Sequence, residues 1–367
     1  MTRVYLDHNA SAPLRPEAAE AMTSAMALRG NPSSVHGEGR QMRAVVERAR
    51  IDVAELAGCD PASVVFTSGA TEANAMAMKA SAGPVAAAGI EHPSILENIG
   101  DLRAIACLPE GRIDLAALES LLDEDRDIAA VALMAANNET GVVQPVAEAA
   151  GLCRAAGVRL HVDAVQQAGK DGLADIWAHC DSMSVTAHKI GGPTGSGALI
   201  VRDPGAWPAL IAGGGQEQRV RAGTENVSGI AGFGAAARSA ALEADGWAEV
   251  RDRRDRLEAA MRARAPELRI VGGGAPRLPN TLCAAVPGIP SDLMTMRLDL
   301  AGIAVSAGSA CSSGKVAASP VLSAMGVEPE IAGSAIRVSQ GLYTTGQDID
   351  RFLAAWSETV SAKSRAA

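Results

Sequence analysis

A lysine and an aspartate define the chemistry open to this chain of 367 residues. Asp163 ends the segment His161-Val162-Asp163, and Lys189 closes Ser184-Val185-Thr186-Ala187-His188-Lys189. A carboxylate after one short apolar run and an amine after the next meet the needs of pyridoxal phosphate chemistry. The amine forms a Schiff base, and the acid serves the pyridine nitrogen. Taken singly, Asp163 reads equally as a helix cap or a strand end, and Lys189 as a solvated charge. Their neighbours tilt the reading. Gln166 offers an amide for a ring hydroxyl, and His188 with Gly191-Gly192-Pro193 is a poor setting for a plain surface lysine. Burial beside a cofactor would lower the pKa of the Lys189 amine and make it nucleophilic.

Further groups suit such a site. The run Phe66-Thr67-Ser68-Gly69-Ala70-Thr71-Glu72-Ala73-Asn74 follows an apolar stretch and opens a helix. Backbone N–H groups and the helix dipole gather an anion there, and the Thr71 hydroxyl adds a donor. An ordinary capped turn reads the same way, and the spacing is not the GxGxxG of dinucleotide sites. His92, in Glu91-His92-Pro93-Ser94, is either a polar residue before a helix N-cap or a ring that stacks on a cofactor and moves protons. Arg337 stands alone in apolar Ala335-Ile336-Arg337-Val338-Ser339, as an edge-strand charge or as a bidentate clamp for a substrate carboxylate. Cys311 sits in a run of small polar residues from Val305 to Lys315 without hydrophobic periodicity. Its thiol therefore reads as carried on a mobile loop, able to visit a site and leave it.

These groups need a scaffold. From Ser63 to Val201, apolar runs at 63–67, 84–88, 103–108, 128–134, 159–163, 182–186 and 198–201 alternate with helix-like stretches. Runs so short and continuous predict strands buried on both faces of a mostly parallel sheet flanked by helices, an α/β domain. Gln41 to Ala57 puts Val45, Val46, Ala49, Val53 and Leu56 on one helical face, and Gly58 offers a stop. Val227 to Arg264 reads as a long connecting helix, open to interruption, near which a second domain begins. Strand-like 281–286 and 335–339 around helical 291–301 predict a smaller α+β unit, and the tail from Ser361 is expected to fray. No internal repeat is present.

Composition bounds the function. The length favours two domains. Nearly half the residues are apolar, yet aromatics are scarce, so close-packed helices are expected in place of a bulky aromatic core. A formal charge of −9 argues against general affinity for nucleic acid or anionic membrane. No apolar run reaches the roughly 20 residues of a membrane-spanning helix, and no signal-peptide pattern opens the chain; a cytoplasmic protein is expected. Five of the six cysteines read as small core residues, reduced in that compartment, and no CxxC pair calls for a metal.

In order and approximate spacing, the pieces YLDHNASAPLRPE, GNPSSVHGEGR, FTSGATEAN, EHPSIL, NNETGVVQP, HVDAVQ, AHKIGGP, RAGTENV, SAGSACSSG and IRVSQG resemble the cysteine desulfurases of the class V aminotransferase group. The likeness runs from Tyr5 to Thr345. It implies the fold type I architecture of pyridoxal 5'-phosphate transferases. A large domain over residues 15–247 would bind the cofactor, and residues 1–14 with 248–367 would form a small domain carrying the cysteine loop.

By the same resemblance Lys189 carries the cofactor, Asp163 pairs with the pyridine nitrogen, Gln166 contacts the ring oxygen and His92 stacks on the ring. Ala70, Thr71, Thr186 and His188 would hold the phosphate, with Thr224 reaching in from a neighbouring subunit, which implies a homodimer. Asn138, Arg337 and Asn31 would bind the substrate carboxylate. The implied reaction takes sulfur from L-cysteine, gives L-alanine and leaves a persulfide on Cys311. The long form of the cysteine loop resembles the branch that passes this sulfur to iron–sulfur scaffold proteins. Selenocysteine lyase and aminotransferase activities share the scaffold. His8, Ser11 and Thr194 depart from the residues frequent in the family at those places.

Overall fold

The computed structural model describes residues 3–307 and 319–366. Its main sheet has seven strands in the order Val64–Thr67, Gly197–Val201, Ser182–Thr186, Arg159–Asp163, Ala130–Met134, Val85–Ala88 and Leu102–Ile105. All neighbours run parallel except around Gly197–Val201, which is antiparallel to both of its partners. Every predicted run thus becomes a strand. The run expected at 103–108 is shorter, because the chain leaves the sheet after Ile105 and Cys107 bridges to Ile113 instead. Ala130–Met134, Ser182–Thr186 and Gly197–Val201 are buried at every position, as continuous apolar strands between two helical layers must be.

The scarcity of aromatics is met by close helix packing. Helix Gly37–Ala57 lies against Val227–Leu242, where a Cβ on Gly234 would come within 2.6 Å of the Ala49 backbone. Gly37–Ala57 starts ahead of its apolar stripe because the His36 ring accepts the Gly39 amide at 3.3 Å. It ends on Gly58, whose φ of 68° suits glycine and whose missing Cβ would meet Ala174 at 2.5 Å.

The long connecting helix is broken. Val227–Leu242 gives way to a turn at Ala244–Gly246 and then to Trp247–Arg264. The break separates two cores: Phe233 and Ala237 pack around the main sheet, whereas Leu257 and Met261 join Val4, Leu6, Phe352 and Trp356. That second cluster covers an antiparallel sheet in the order Ser306–Ala307, Ala335–Ser339, Thr281–Ala285 and Arg269–Ile270. Val4–Tyr5 pairs with Ile303–Ala304 beside it. Helix Gly346–Ala366 buries Phe352 and Trp356 against this cluster before it reaches the tail.

The Val64–Thr67 edge of the main sheet is closed by an ion pair. Arg50 donates to both carboxylate oxygens of Glu217 at 2.8 and 2.9 Å and to the Val64 carbonyl at 2.7 Å. Glu217 in turn accepts the Phe66 amide at 2.7 Å. The edge strand therefore spends its outward groups on a charged pair. Glu217, Gln218 and Arg219 all hold positive φ, of 43°, 56° and 71°, a backbone region costly for residues other than glycine. The ion pair fixes that strained turn.

Replacing Arg50 by methionine leaves a buried carboxylate unpaired, which should lower unfolding stability by about 3–5 kcal/mol. Denaturant unfolding of the apoprotein checks this, and a loss below about 1 kcal/mol, the range of an exposed pair, would contradict the account of the edge.

Candidate active site

The C-terminal ends of the parallel strands hold the candidate residues together, as open α/β sheets do for ligands. Asp163 ends its strand beside Ser184 on one neighbour and Met134 on the other. Lys189 closes the turn Ala187–Lys189 that follows Ser182–Thr186, and His92 follows Val85–Ala88.

Asn74 organises the acid. Its amide nitrogen donates to Asp163 Oδ2 at 2.8 Å and to Ser94 Oγ at 2.9 Å. Its oxygen accepts the Ser184 hydroxyl at 2.5 Å and lies 3.1 Å from His161 Nε2. Ser94 Oγ lies 2.7 Å from His92 Nδ1, which also accepts the Ser94 amide at 3.1 Å. With Nδ1 accepting, His92 carries its proton on Nε2. Burial, partly offset by Asp163, pushes the His92 pKa down, so the ring is a neutral imidazole with an N–H to offer. Asp163 Oδ1 takes the Val165 amide at 3.0 Å. Glu91 lies beneath, wholly buried. One of its oxygens accepts the Met134 amide, the other has no partner among the described residues, and burial drives its pKa well above the usual carboxylate value.

The amine has its own cluster. Lys189 Nζ donates to the carbonyls of Asn9 at 2.5 Å and Ala10 at 2.8 Å. Gln166 Nε2 donates to the same Asn9 carbonyl at 3.0 Å. Lys170, four residues beyond Gln166 in a run of turns, bonds Gln166 Oε1 and Asn9 Oδ1. Sequence reasoning missed Asn74, Asn9 and Lys170. The first two lie in segments already singled out, and Lys170 was legible only through its spacing of four from Gln166.

The phosphate residues form a rim. Helix Ala70–Lys79 begins on Gly69 with no side-chain cap, so the N–H groups about Ala70 and Thr71 are open to an anion. A Cβ on Gly197 would stand 2.7 Å from the Gly69 backbone, so only glycine lets strand and turn approach so closely. Thr186 Oγ1 lies 3.1 Å from His188 Nδ1. A cavity of about 230 Å3 opens here between Thr67, Ser68 and Gly195 on one side and Thr224 and Asn226 of the same chain on the other.

The substrate residues are brought together only in part. Arg337 donates to Asp7 at 2.8 Å and to the Asn138 carbonyl at 3.0 Å, while its buried Nε has no partner among the described residues. Asn31 is exposed, and its side chain accepts the Ser33 amide. Cys311 lies outside the described residues. An amine, an oriented carboxylate, an amide, an imidazole and an open helix start fit pyridoxal phosphate, and the unpartnered Arg337 Nε fits a carboxylate beside it.

Known proteins resemble this chain over nearly its whole length. Residues 4–352 match the aminotransferase class-V family. A cysteine desulfurase from Cereibacter sphaeroides is 42% identical, over 96% of this chain and 94% of its own. Cysteine desulfurase IscS from Dictyoglomus turgidum is 38% identical, over 95% and 92%. A NifS-like protein from Rickettsia africae superposes with a TM-score of 0.91 at 33% identity, over 98% and 99%.

The site also sets an acid limit. Burial alone lowers the His161 pKa to about 3, and burial with help from the charge of Lys170 lowers that of His8 to about 4. Both titrate near 6.5 when unfolded, so below that value the unfolded chain binds more protons and stability falls as pH falls. By pH 5 the loss should reach roughly 2 kcal/mol for each ring. The raised pKa of Glu91 acts in the opposite sense, so the check is the stability difference between the wild type and His161→Gln in denaturant titrations: it should shrink by about 2 kcal/mol from pH 7 to pH 5, and a constant difference would contradict the neutral ring.

Proposed function

The chain belongs to the class-V aminotransferase family, whose members depend on pyridoxal phosphate, and we propose that it is a cysteine desulfurase that moves sulfur from L-cysteine onto Cys311. One observation carries this reading: Asp163 and His92 share a single network through Asn74 at the strand ends where Lys189 and Gln166 also stand. The cysteine desulfurase relatives at 38–42% identity support the choice of substrate.

Bound there, pyridoxal phosphate supplies a conjugated ring that takes up the electrons released at the substrate's Cα. Lys189 would hold it through the amine, Asp163 at the pyridine nitrogen, Gln166 at the ring oxygen and His92 against the ring face. The N–H groups at Ala70 and Thr71, with Thr186 and His188, would take the phosphate. Arg337, its Nε satisfied by the substrate carboxylate, would orient L-cysteine with Asn138 and Asn31. The Lys189 amine removes the Cα proton. The neutral His92, with hydrogen on Nε2, serves the proton on the substrate sulfur.

Cys311 then attacks that sulfur as a thiolate. The C–S bond breaks, an S–S bond forms, and the bond electrons stay with the three-carbon skeleton, which takes up a proton and leaves as alanine. L-cysteine and one enzyme thiol thus become L-alanine and one enzyme persulfide. The persulfide passes to an acceptor, for which we infer an iron–sulfur scaffold protein from the long cysteine loop.

Residues 15–247 are read as the cofactor-bearing domain and residues 1–14 with 248–367 as the small one. The separate cluster of Val4 and Leu6 with Leu257 and Trp356 supports that division. A cytoplasmic homodimer completes the reading. Five described cysteines, all free thiols, support the compartment, and the dimer rests on the family resemblance, since the Thr224 beside this rim is the chain's own.

The test is to incubate purified protein with L-cysteine and assay alanine and protein-bound persulfide together. Lys189→Ala should lower turnover by roughly a thousandfold. Cys311→Ser should still give a cofactor–cysteine absorbance change but no persulfide, and normal alanine production by that variant would refute the role of Cys311. His92→Ala with full turnover would remove His92 from the reaction.

A further inference from the structure

Lys170 is 5% exposed, and among the described residues it pairs with no carboxylate. Its Nζ bonds three oxygens of uncharged groups: Gln166 Oε1 and the Gln166 carbonyl at 3.0 Å each, and Asn9 Oδ1 at 3.2 Å. Three acceptors match the three hydrogens of an ammonium. A neutral amine would bring two hydrogens and a lone pair to a pocket of acceptors. Burial first, then the charges of Lys189 and Arg337, push the pKa well below the usual lysine value, so the three oxygens hold the charge against a real cost. A cost of that kind, unrelieved by an ion pair, needs a function.

We propose that Lys170 is a positioning residue for the cofactor: its ammonium grips the Gln166 carboxamide by the oxygen, so that the NH2 end is the one presented to the cofactor's ring oxygen. The inference rests on the reading above that Gln166 faces that oxygen. A carboxamide can turn end for end with little change of shape, and either end fits the same space. An ammonium donates only, so it tolerates Oε1 and repels the NH2 end. One Nε2 hydrogen already goes to the Asn9 carbonyl at 3.0 Å, which leaves the second for the ring oxygen. Asn9 Oδ1 completes the grip, since it accepts from Lys170 and from Asn280 at 2.9 Å. Without the ammonium only the Asn9 carbonyl would hold the NH2 end in place, and a turned carboxamide would set Oε1 against the ring oxygen.

Lys170→Met, Gln166→Ala and the double variant, each loaded with pyridoxal phosphate, provide the test. Folding is checked by the thermal melt of each apoprotein, and the readouts are the visible absorption band and the dissociation constant of the cofactor. Lys170→Met should shift the band in the same direction as Gln166→Ala and weaken cofactor binding about tenfold, the effect of one lost buried hydrogen bond. In the double variant the lysine change should add nothing. Additive effects, or a wild-type band in Lys170→Met beside a shifted band in Gln166→Ala, would overturn the proposal. A wild-type band in Gln166→Ala alone would instead overturn the contact between Gln166 and the ring. If the methionine variant does not fold, the wild-type holoprotein decides: lysine-15N labelling should show a buried ammonium resonance assigned to Lys170, and a neutral amine there would overturn the grip.

Discussion

The arrangement depends on Asn9 having every polar atom engaged. Its amide donates to Ser339 Oγ at 3.0 Å, and its side-chain nitrogen donates to Thr281 Oγ1 at 2.8 Å and the Asn138 carbonyl at 3.2 Å. Its carbonyl takes Lys189 and Gln166. A residue from the start of the chain therefore joins the antiparallel sheet to the amine that follows the main sheet. In a buried setting each of these bonds is costly to leave unmade, so the position of Lys189 is set by groups far from it in sequence.

The acid side is built by the same logic with different means. Asp163 receives Asn74, and Asn74 is locked by Ser184 and by a histidine that burial keeps neutral. No cation sits on that carboxylate among the described ion pairs, which leaves its charge directed at a ligand. The wholly buried Glu91 has its pKa raised by burial first and then by the charge of Asp163, which disfavours a second negative charge beside that carboxylate.

Much of this was legible in the sequence, for identifiable reasons. Asp163, Lys189 and His92 each follow a short apolar run, and a parallel sheet places the ends of such runs on one edge. Six of the seven runs became buried strands, since burial on both faces leaves little polar signal to misread; Leu102–Ile105, at the sheet edge, buries only Ile105. Asn9 and Asn74 escaped because their roles come from partners distant along the chain, to which periodicity is blind, and Lys170 because its only sequence signal was the spacing of four from Gln166. The break at Glu243 escaped in detail because Val227–Leu242 and Trp247–Arg264 both favour helix, and only the change of core between them demands a turn.

The Arg50 and Glu217 pair has a consequence for how the protein would fail. The carboxylate that covers the Phe66 amide also borders the cavity shared by Ser68 and Thr224, so one residue guards both a ligand rim and a strand margin. Were the turn at 217–219 to relax its strained backbone, the rim would loosen and the Val64–Thr67 strand would be bared together. Exposed strand margins recruit other chains. Molecules that lose grip on their ligand through this turn would therefore be the same ones that begin to self-associate, and occupancy of the rim would act as protection against clumping.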